Sequence, residues 1–389
     1  MMNFITAGES HGPQLTGILE GVPAGLKLDI DAINDQLAKR QGGYGRGNRQ
    51  AIEHDVVQIT GGVRHKITLG SPISLTVMNR DHKHWNEIMD PTAEKTAENS
   101  VRKVSRPRPG HADLVGGMKY NHRDFRNVLE RSSARETAMR VAIGAICKQL
   151  LEELGINIVG YVKQIGQVNA DANHLLPVSK IEDKIKNNDL RVLNEDKVDE
   201  VHAMIDQTKR DGDTLGGIIK VVAENVPAGL GSYTGWNQKF DARLAFAAMG
   251  VNAMKGVEIG EGFAAATKFG SQVMDPIDWN EEKGWFRDSD NLGGFEGGMT
   301  NGMPIIVQAA MKPIPTLYKP LKSVDVNSKE VSKANIERSD VTAIVPASIV
   351  IESVIAIEIA NIITETFDGS NMERLTRQLK NYRKEIKEF

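Results

Sequence analysis

Residues 133–155 read Ser-Ala-Arg-Glu-Thr-Ala-Met-Arg-Val-Ala-Ile-Gly-Ala-Ile-Cys-Lys-Gln-Leu-Leu-Glu-Glu-Leu-Gly, with Met139, Ile143, Ile146, Leu150 and Leu154 recurring at three- and four-residue intervals. That spacing puts the apolar side chains on one face of an α-helix. Ser133 is a natural N-cap, Glu136 stands where a capping box needs it, and Gly155 supplies a stop. A long, central helix is expected here. A second apolar helix is expected over residues 347–366, followed by a charged amphipathic helix from Asn371.

Working outward, three segments of the first half return in the second in the same order. Glu20-Gly-Val-Pro-Ala-Gly-Leu26 returns as Glu224-Asn-Val-Pro-Ala-Gly-Leu230, and Thr68-Leu-Gly-Ser-Pro-Ile73 as Thr300-Asn-Gly-Met-Pro-Ile305. Glu130-Arg-Ser-Ser133 returns as Glu337-Arg-Ser-Asp340, each ahead of an apolar helix. One match could be a reused turn, but three in register argue for two similar α+β halves sharing one core, a single domain over residues 1–389. Strands are expected near residues 15–21, 55–60, 74–77, 218–223 and 305–308, and helices at 29–41, 198–209 and 241–249. Residues 92–103 read as a polar surface helix and 156–215 as a polar excursion from the core. The stretch 42–49, Gly-Gly-Tyr-Gly-Arg-Gly-Asn-Arg, is too glycine-rich for helix or strand and reads as a mobile loop.

Composition limits the function classes. The 389 residues are 40% hydrophobic and 25% charged with a formal net charge of −3, as in a soluble globular protein. Only 5% are aromatic, which disfavours a dedicated nucleic-acid binder. The single cysteine, Cys147, excludes an internal disulfide framework and lies among apolar residues, where a thiol is inert. The N-terminus lacks the features of a signal peptide and no long uncharged apolar run occurs, so a cytoplasmic protein without a membrane partner is expected.

The charge is unevenly placed. From Arg102 to Arg140 there are ten Lys/Arg against four Asp/Glu. In Ser105-Arg-Pro-Arg-Pro-Gly-His-Ala-Asp113 two prolines and a glycine stiffen a loop carrying Arg106, Arg108 and His111, and the helix opened near Ser133 offers backbone N–H groups to an anion. Ala7-Gly-Glu-Ser-His-Gly-Pro13 places Ser10 and His11 between glycines, so two histidines sit in stiff loops beside arginines. That pattern suggests proton transfer to or from a phosphorylated substrate. No His or Cys spacing of a zinc or iron site occurs, and Leu292-Gly-Gly-Phe-Glu-Gly-Gly298 lacks the strand–GxGxxG–helix order of a dinucleotide fold. Lys312-Pro-Ile-Pro-Thr-Leu-Tyr-Lys-Pro320 is a stiff cationic stretch that suits either a connector or a wall for a flat ligand.

Together, Gly8-Glu-Ser-His-Gly12, Arg40-Gln-Gly-Gly-Tyr-Gly-Arg46, Arg106-Pro-Arg-Pro-Gly-His-Ala-Asp113, Glu130-Arg-Ser-Ser-Ala-Arg-Glu136 and Lys312-Pro-Ile-Pro-Thr316 closely resemble the chorismate synthase family, over essentially the whole chain. The resemblance implies a β-α-β sandwich with central long helices flanked by antiparallel sheets, and a homotetramer. It implies conversion of 5-enolpyruvylshikimate 3-phosphate to chorismate by elimination of phosphate and a ring proton, requiring reduced FMN without net redox change, with NADPH as a candidate reductant. By the same resemblance His11 protonates the departing phosphate and His111 the reduced flavin, while Asp340, Ser10 and Ser132 relay protons at the flavin. Flavin contacts fall on Arg131, Ser132, Ser133, Asn252, Ala253, Gly297, Lys312, Pro313, Ile314, Pro315, Thr316 and Arg338. Arg40 and Arg46 match positions associated with NADP and also read as cations for the substrate phosphate; Arg49, Arg108 and Arg135 are further candidates for holding phosphate and carboxylates. Two other readings stand beside this one: a non-catalytic phospholigand- or nucleic-acid-binding protein using the same loops, and an oxidoreductase that consumes hydride.

Overall fold

In the computed structural model, residues 2–46, 54–96, 98–337 and 339–389 are described. The chain opens with β1 (Asn3–Ala7) and β2 (Gln14–Glu20), followed by α1 (Ile30–Gln41), β3 (Val57–Gly61), β4 (Ile73–Met78) and α2 (Thr137–Glu153). The second half runs through the same kinds of element in the same order: β5 (Asn157–Ile165), β6 (Gly217–Glu224), α3 (Phe240–Met249), β7 (Met254–Ile259), β8 (Ile305–Met311) and α4 (Ile344–Thr366). One sheet has the order β1-β2-β4-β3 and the other β5-β6-β8-β7, with all these pairs antiparallel. A short edge strand, Val168–Asn169, extends the second sheet beyond β5. α2 packs on β2 and β4, α4 packs on β5 and β6, and the two helices pack on each other between the sheets.

The turns that announce the repeat are built alike. After β2, Thr68 Oγ1 donates to the Pro23 carbonyl at 2.6 Å and accepts from Leu26 N at 2.9 Å. After β6, Thr300 Oγ1 donates to the Pro227 carbonyl at 2.7 Å and accepts from Leu230 N at 2.9 Å. Each threonine is buried and satisfied, so the Val-Pro-Ala-Gly-Leu turn is closed by the same hydroxyl in both halves.

Helix-to-helix contact sets the interior. A Cβ on Gly144 would stand 2.7 Å from the Ser353 Cα and 2.8 Å from its carbonyl oxygen, so only glycine lets α2 approach α4 this closely. Next to Ser353, Glu352, buried inside α4, accepts from Lys148 Nζ of α2 at 2.9 Å and from Gly160 N of β5 at 2.8 Å. Burial opposes its ionisation, but Lys148 and Arg191 outweigh burial and hold the carboxyl below its ordinary value. One apolar cluster reaches from Met2 to Leu379 and includes residues of both sheets and both helices. α4 is long and apolar enough to cross a membrane, yet 89% of its most apolar window is buried inside the protein, as expected of a core helix. Cys147 is buried in α2, and burial pushes its thiol well above the usual range.

Three local expectations need correction. Ser133 does cap, accepting from Arg135 N at 3.2 Å, but no capping box forms: the Glu136 carboxylate turns to Arg140 at 3.0 Å, and a 3-10 turn over Ala134–Glu136 precedes the α-helix. Among the described residues of 92–103, only Glu98–Ser100 is helical. The stretch 156–215 is not all excursion, because β5 lies inside the second sheet with Ile158, Val159, Tyr161 and Val162 buried. The helix Val178–Ile185 covers the outer face of that sheet with Val178, Ile181 and Ile185, while Val198–Arg210 falls where expected. Of the glycine-rich stretch 42–49, residues 47–49 lie outside the described residues.

Gly144→Val should lower unfolding stability by about 2 kcal/mol or more through overpacking of α2 against α4. Gly270→Ala, where nothing lies within 4 Å of the added Cβ, should leave stability near wild type. Urea unfolding of the two variants checks the difference.

Candidate functional site

α2 begins on the rim of a cleft of ≈ 1140 Å³ to which both halves contribute. Its wall carries Ser10, His11, Arg40, Arg46, Arg108, His111, Arg131, Ser132, Ser133, Arg135, Asn252, Ala253, Lys312, Ile314, Pro315, Thr316 and Asp340. Residues separated by more than 300 positions are thus brought together. Pro313, between two lining residues, and Gly297, in the turn between Phe295–Glu296 and Met299–Thr300, are not themselves part of the wall. Arg49 and Arg338 lie outside the described residues.

The first histidine is held on every side. Gly8 takes φ +109°, and a Cβ there would collide with the backbone of Gln14 and Leu15, so the chain reverses between β1 and β2 only with glycine at this point. Asn79 Nδ2 then donates to the Gly12 carbonyl at 2.7 Å, and Ser10 N to the Glu130 carbonyl at 3.1 Å. The Glu130 carboxylate receives His11 N at 2.8 Å and His11 Nδ1 at 2.9 Å. The imidazole stacks on Trp85 with centroids 4.0 Å apart, and its Nε2 lies 4.0 Å from Asp81 Oδ2. Burial disfavours the Glu130 charge, yet the hydrogen bonds and charge of His11, with help from Arg126, hold the carboxyl below its ordinary value.

The second histidine repeats the device. His111 Nδ1 lies 2.6 Å from Asp113 Oδ1, while Arg108 Nε donates to Asp113 Oδ2 at 2.9 Å and Arg108 Nη1 to Thr316 Oγ1 at 2.9 Å. Asp113 is fully buried; burial raises its carboxyl, but His111 and Arg108 overcome that and drive it far below the carboxylate range. Each ring therefore has Nδ1 against a buried carboxylate, while Nε2 of His111 lies 3.4 Å from Arg108 Nη2.

Nine Lys/Arg side chains line the cleft against four Asp/Glu, among the described residues, so the wall favours an anion. Much of that charge is already engaged. Arg135 Nη1 bonds both Asp55 oxygens at 2.7 Å and its Nε donates to Asn79 Oδ1 at 2.9 Å. Arg40 donates to the Ala134 carbonyl at 2.8 Å and to Thr137 Oγ1 at 3.1 Å, and Arg46 pairs with Asp340 at 2.7 Å. Arg131 donates to Thr6 O at 2.7 Å and Gly8 O at 3.3 Å, and Ser132 Oγ to Val128 O at 2.9 Å. Asn252 Nδ2 reaches the Ser132 carbonyl at 3.1 Å, and Ala253 beside it takes φ +72°. Lys312 donates to Gly110 O at 3.0 Å and is held below the usual lysine range by burial and by Lys255 and Arg108, a strain that an anion alongside would relieve.

Glu130, Trp85, Arg126, Asp55 and Asn79 were given no separate role by sequence reasoning. Glu130 had a signal, since it opens the repeated Glu-Arg-Ser segment; Trp85 and Asn79 had none, because stacking and loop bracing leave no spacing to read. Asp113 carried one in its two-residue offset from His111.

Asp113→Asn should cost about 3 kcal/mol by leaving Arg108 and His111 without their buried partner. A depressed carboxyl stabilises the fold above its unfolded pKa and loses that contribution as pH falls toward the folded value. The stability gap between wild type and variant should therefore be full above about pH 4 and shrink on further acidification, as read from urea midpoints across pH 3 to 7.

A sequence model of the chorismate synthase family matches residues 2–364. The chain is 67% identical over 389 residues, the whole of both chains, to the chorismate synthase of Lactiplantibacillus plantarum, and 55% identical over 384 residues, 98% of each, to that of Enterococcus faecalis. A solved structure titled "Crystal Structure of Chorismate Synthase" superposes with a TM-score of 0.80 at 42% identity, covering 100% of this chain and 99% of that one.

Proposed function

The chain belongs to the chorismate synthase family, and from that premise we propose that its cleft eliminates phosphate and a ring proton from 5-enolpyruvylshikimate 3-phosphate in the anti-1,4 sense to give chorismate. The enzyme is a carbon–oxygen lyase acting on a phosphate. The observation that carries the reading is the pair of histidines, each with Nδ1 on a buried carboxylate, in one cation-walled cleft. A non-catalytic phospholigand binder finds no support in the relatives, and it would need neither positioned imidazole.

Reduced FMN fits the residues present. A volume of ≈ 1140 Å³ exceeds what the substrate alone would fill, and the donors suit an aromatic polyanion. Arg131, Ser132, Ser133, Asn252, Ala253, Lys312 and the stretch 314–316 would hold it, with Gly297, Pro313 and Arg338 proposed as further contacts. When bound, the reduced flavin supplies transient electron density for breaking an unactivated C–H bond and takes it back, so there is no net redox change.

The chain's own residues supply the rest. His11 Nε2 gives a proton to the departing phosphate oxygen as the C–O bond breaks, with Glu130 fixing the ring and stabilising the imidazolium before transfer. His111, oriented by Asp113, holds a proton toward the flavin side. Asp340, with Ser10 and Ser132, relays protons on the flavin side of the cleft. Arg49, Arg108 and Arg135 bind the substrate's anionic groups, directly or by fixing the loops that do. Arg40 and Arg46 brace the start of α2 and the Asp340 segment while facing the substrate phosphate, and NADPH is the proposed source of electrons for the flavin.

We read the chain as one domain of two intertwined halves acting in the cytoplasm as a homotetramer, without nucleic-acid or membrane partners. The shared apolar cluster supports the first point, and the highly exposed Trp236, Phe246, Phe263 and Phe269 support an interface between copies.

Anaerobic incubation with 5-enolpyruvylshikimate 3-phosphate and dithionite-reduced FMN should release phosphate and form chorismate while the flavin spectrum ends reduced. Oxidation of one FMN per chorismate formed would refute the mechanism. His11→Ala and His111→Ala should retain FMN binding and lose turnover by on the order of 10²- to 10⁴-fold. The two should differ in one respect: only His111→Ala should alter the pH dependence of the bound flavin spectrum.

A further inference from the structure

The two glutamates that the repeat makes equivalent, Glu130 and Glu337, meet on a single side chain. Arg126 Nη1 donates to Glu130 Oε1 at 3.3 Å and Nη2 to Glu337 Oε1 at 3.1 Å. Its Nε donates to the Arg102 carbonyl at 3.1 Å, which fixes the direction of the fork, and its guanidinium lies 5.1 Å from the centroid of Trp85, the ring stacked on His11. Glu337 is steadied by Asn335 Nδ2 at 2.8 Å and stands three residues before Asp340.

We propose that Arg126 is a positioning residue that divides one guanidinium between Glu130 and Glu337, and so couples the charge facing His11 in the first half to the Asp340 segment of the second. The geometry allows this because a planar fork meets two carboxylates at once, which a lysine ammonium on a flexible stem does not reproduce. The more of the fork Glu337 takes, the more of the Glu130 charge is left for the imidazole. Among the described residues, other charged groups near His11 are Asp81, 4.0 Å from Nε2, and Arg102, 3.9 Å above the Trp85 centroid; His82 Nδ1 meets the His11 carbonyl at 2.9 Å.

The proposal rests on His11 being the proton donor only for its effect on rate, so it is tested first without substrate or flavin. The full chain carrying ¹³C-labelled histidine is titrated by NMR, with the His11 resonance assigned by its loss in His11→Asn. Arg126→Gln removes a cation and should raise the His11 midpoint by on the order of half a pH unit. Glu337→Gln, isosteric and at a half-buried position, should lower it by a few tenths of a unit, because Arg126 then turns wholly to Glu130. In the Arg126→Gln background Glu337→Gln should add no further shift, since the coupling runs through the missing guanidinium. Shifts of the same sign, no shift in either variant, or full additivity in the double variant would overturn the proposal. If Arg126→Gln fails to fold, Glu337→Gln decides alone: a downward shift supports the tie and an unchanged or upward midpoint ends it. The basic limb of the kcat profile should follow the titration. If the titration moves as expected and the rate profile does not, the tie stands and His11 loses its place as the donor.

Discussion

The close contact of α2 with α4 is the constraint on which the rest is built. Gly144 lets the backbone of one helix reach Ser353 of the other, and Glu352 then ties α4 to Lys148 of α2 and to Gly160 of β5. A buried carboxylate bonded on both sides in this way is costly to separate, because parting the layers would leave a charge without a partner. Each helix also carries the loop before it. Ser132 and Ser133 ahead of α2, and Ser339 and Asp340 ahead of α4, all line the cleft, so the packing of the two helices brings those loops together there.

The cleft uses its charge in two ways. Arginines such as Arg40 and Arg135 spend their hydrogen bonds on the start of α2, Asp55 and Asn79, so they act as struts that also leave the wall positive. Buried carboxylates behind His11 and His111 perform a separate task, fixing the orientation of both rings in the cleft wall. Both carboxyls are held ionised against the penalty of burial by the groups they serve. Structure and site are therefore interdependent: removing a strut disturbs the loops, and removing a carboxylate releases a ring.

Much of this was legible in residue order. The apolar period of residues 133–155, the helix expected at 29–41 and the recurrence of Val-Pro-Ala-Gly-Leu all translated directly, because each depends on neighbours within a few positions. The motif loops marked the cleft for the same reason: stiffness from proline and glycine is local. β5 was hidden because its surroundings are polar and its own residues carry buried side chains on both faces, without the alternation that betrays a half-exposed strand. The capping box failed because Arg140, one turn on, offered Glu136 a full charge that a backbone N–H could not match.

What the sequence determined alone is the two long apolar helices, the recurring Val-Pro-Ala-Gly-Leu turns and the stiff loops that line the cleft, since propensity, period and turn stereochemistry act over short spans of chain. Tertiary structure alone decided the partners: that Glu130 would take His11, that Asn79 would brace both the His11 loop and Arg135, and that one arginine would join two glutamates 207 positions apart by number, 130 and 337. Those pairings depend on side-chain direction after the layers have closed around Gly144, where a tenth of a nanometre separates a hydrogen bond from empty space, on the order of the tolerance of the bond itself. No spacing along the chain encodes a distance of that kind.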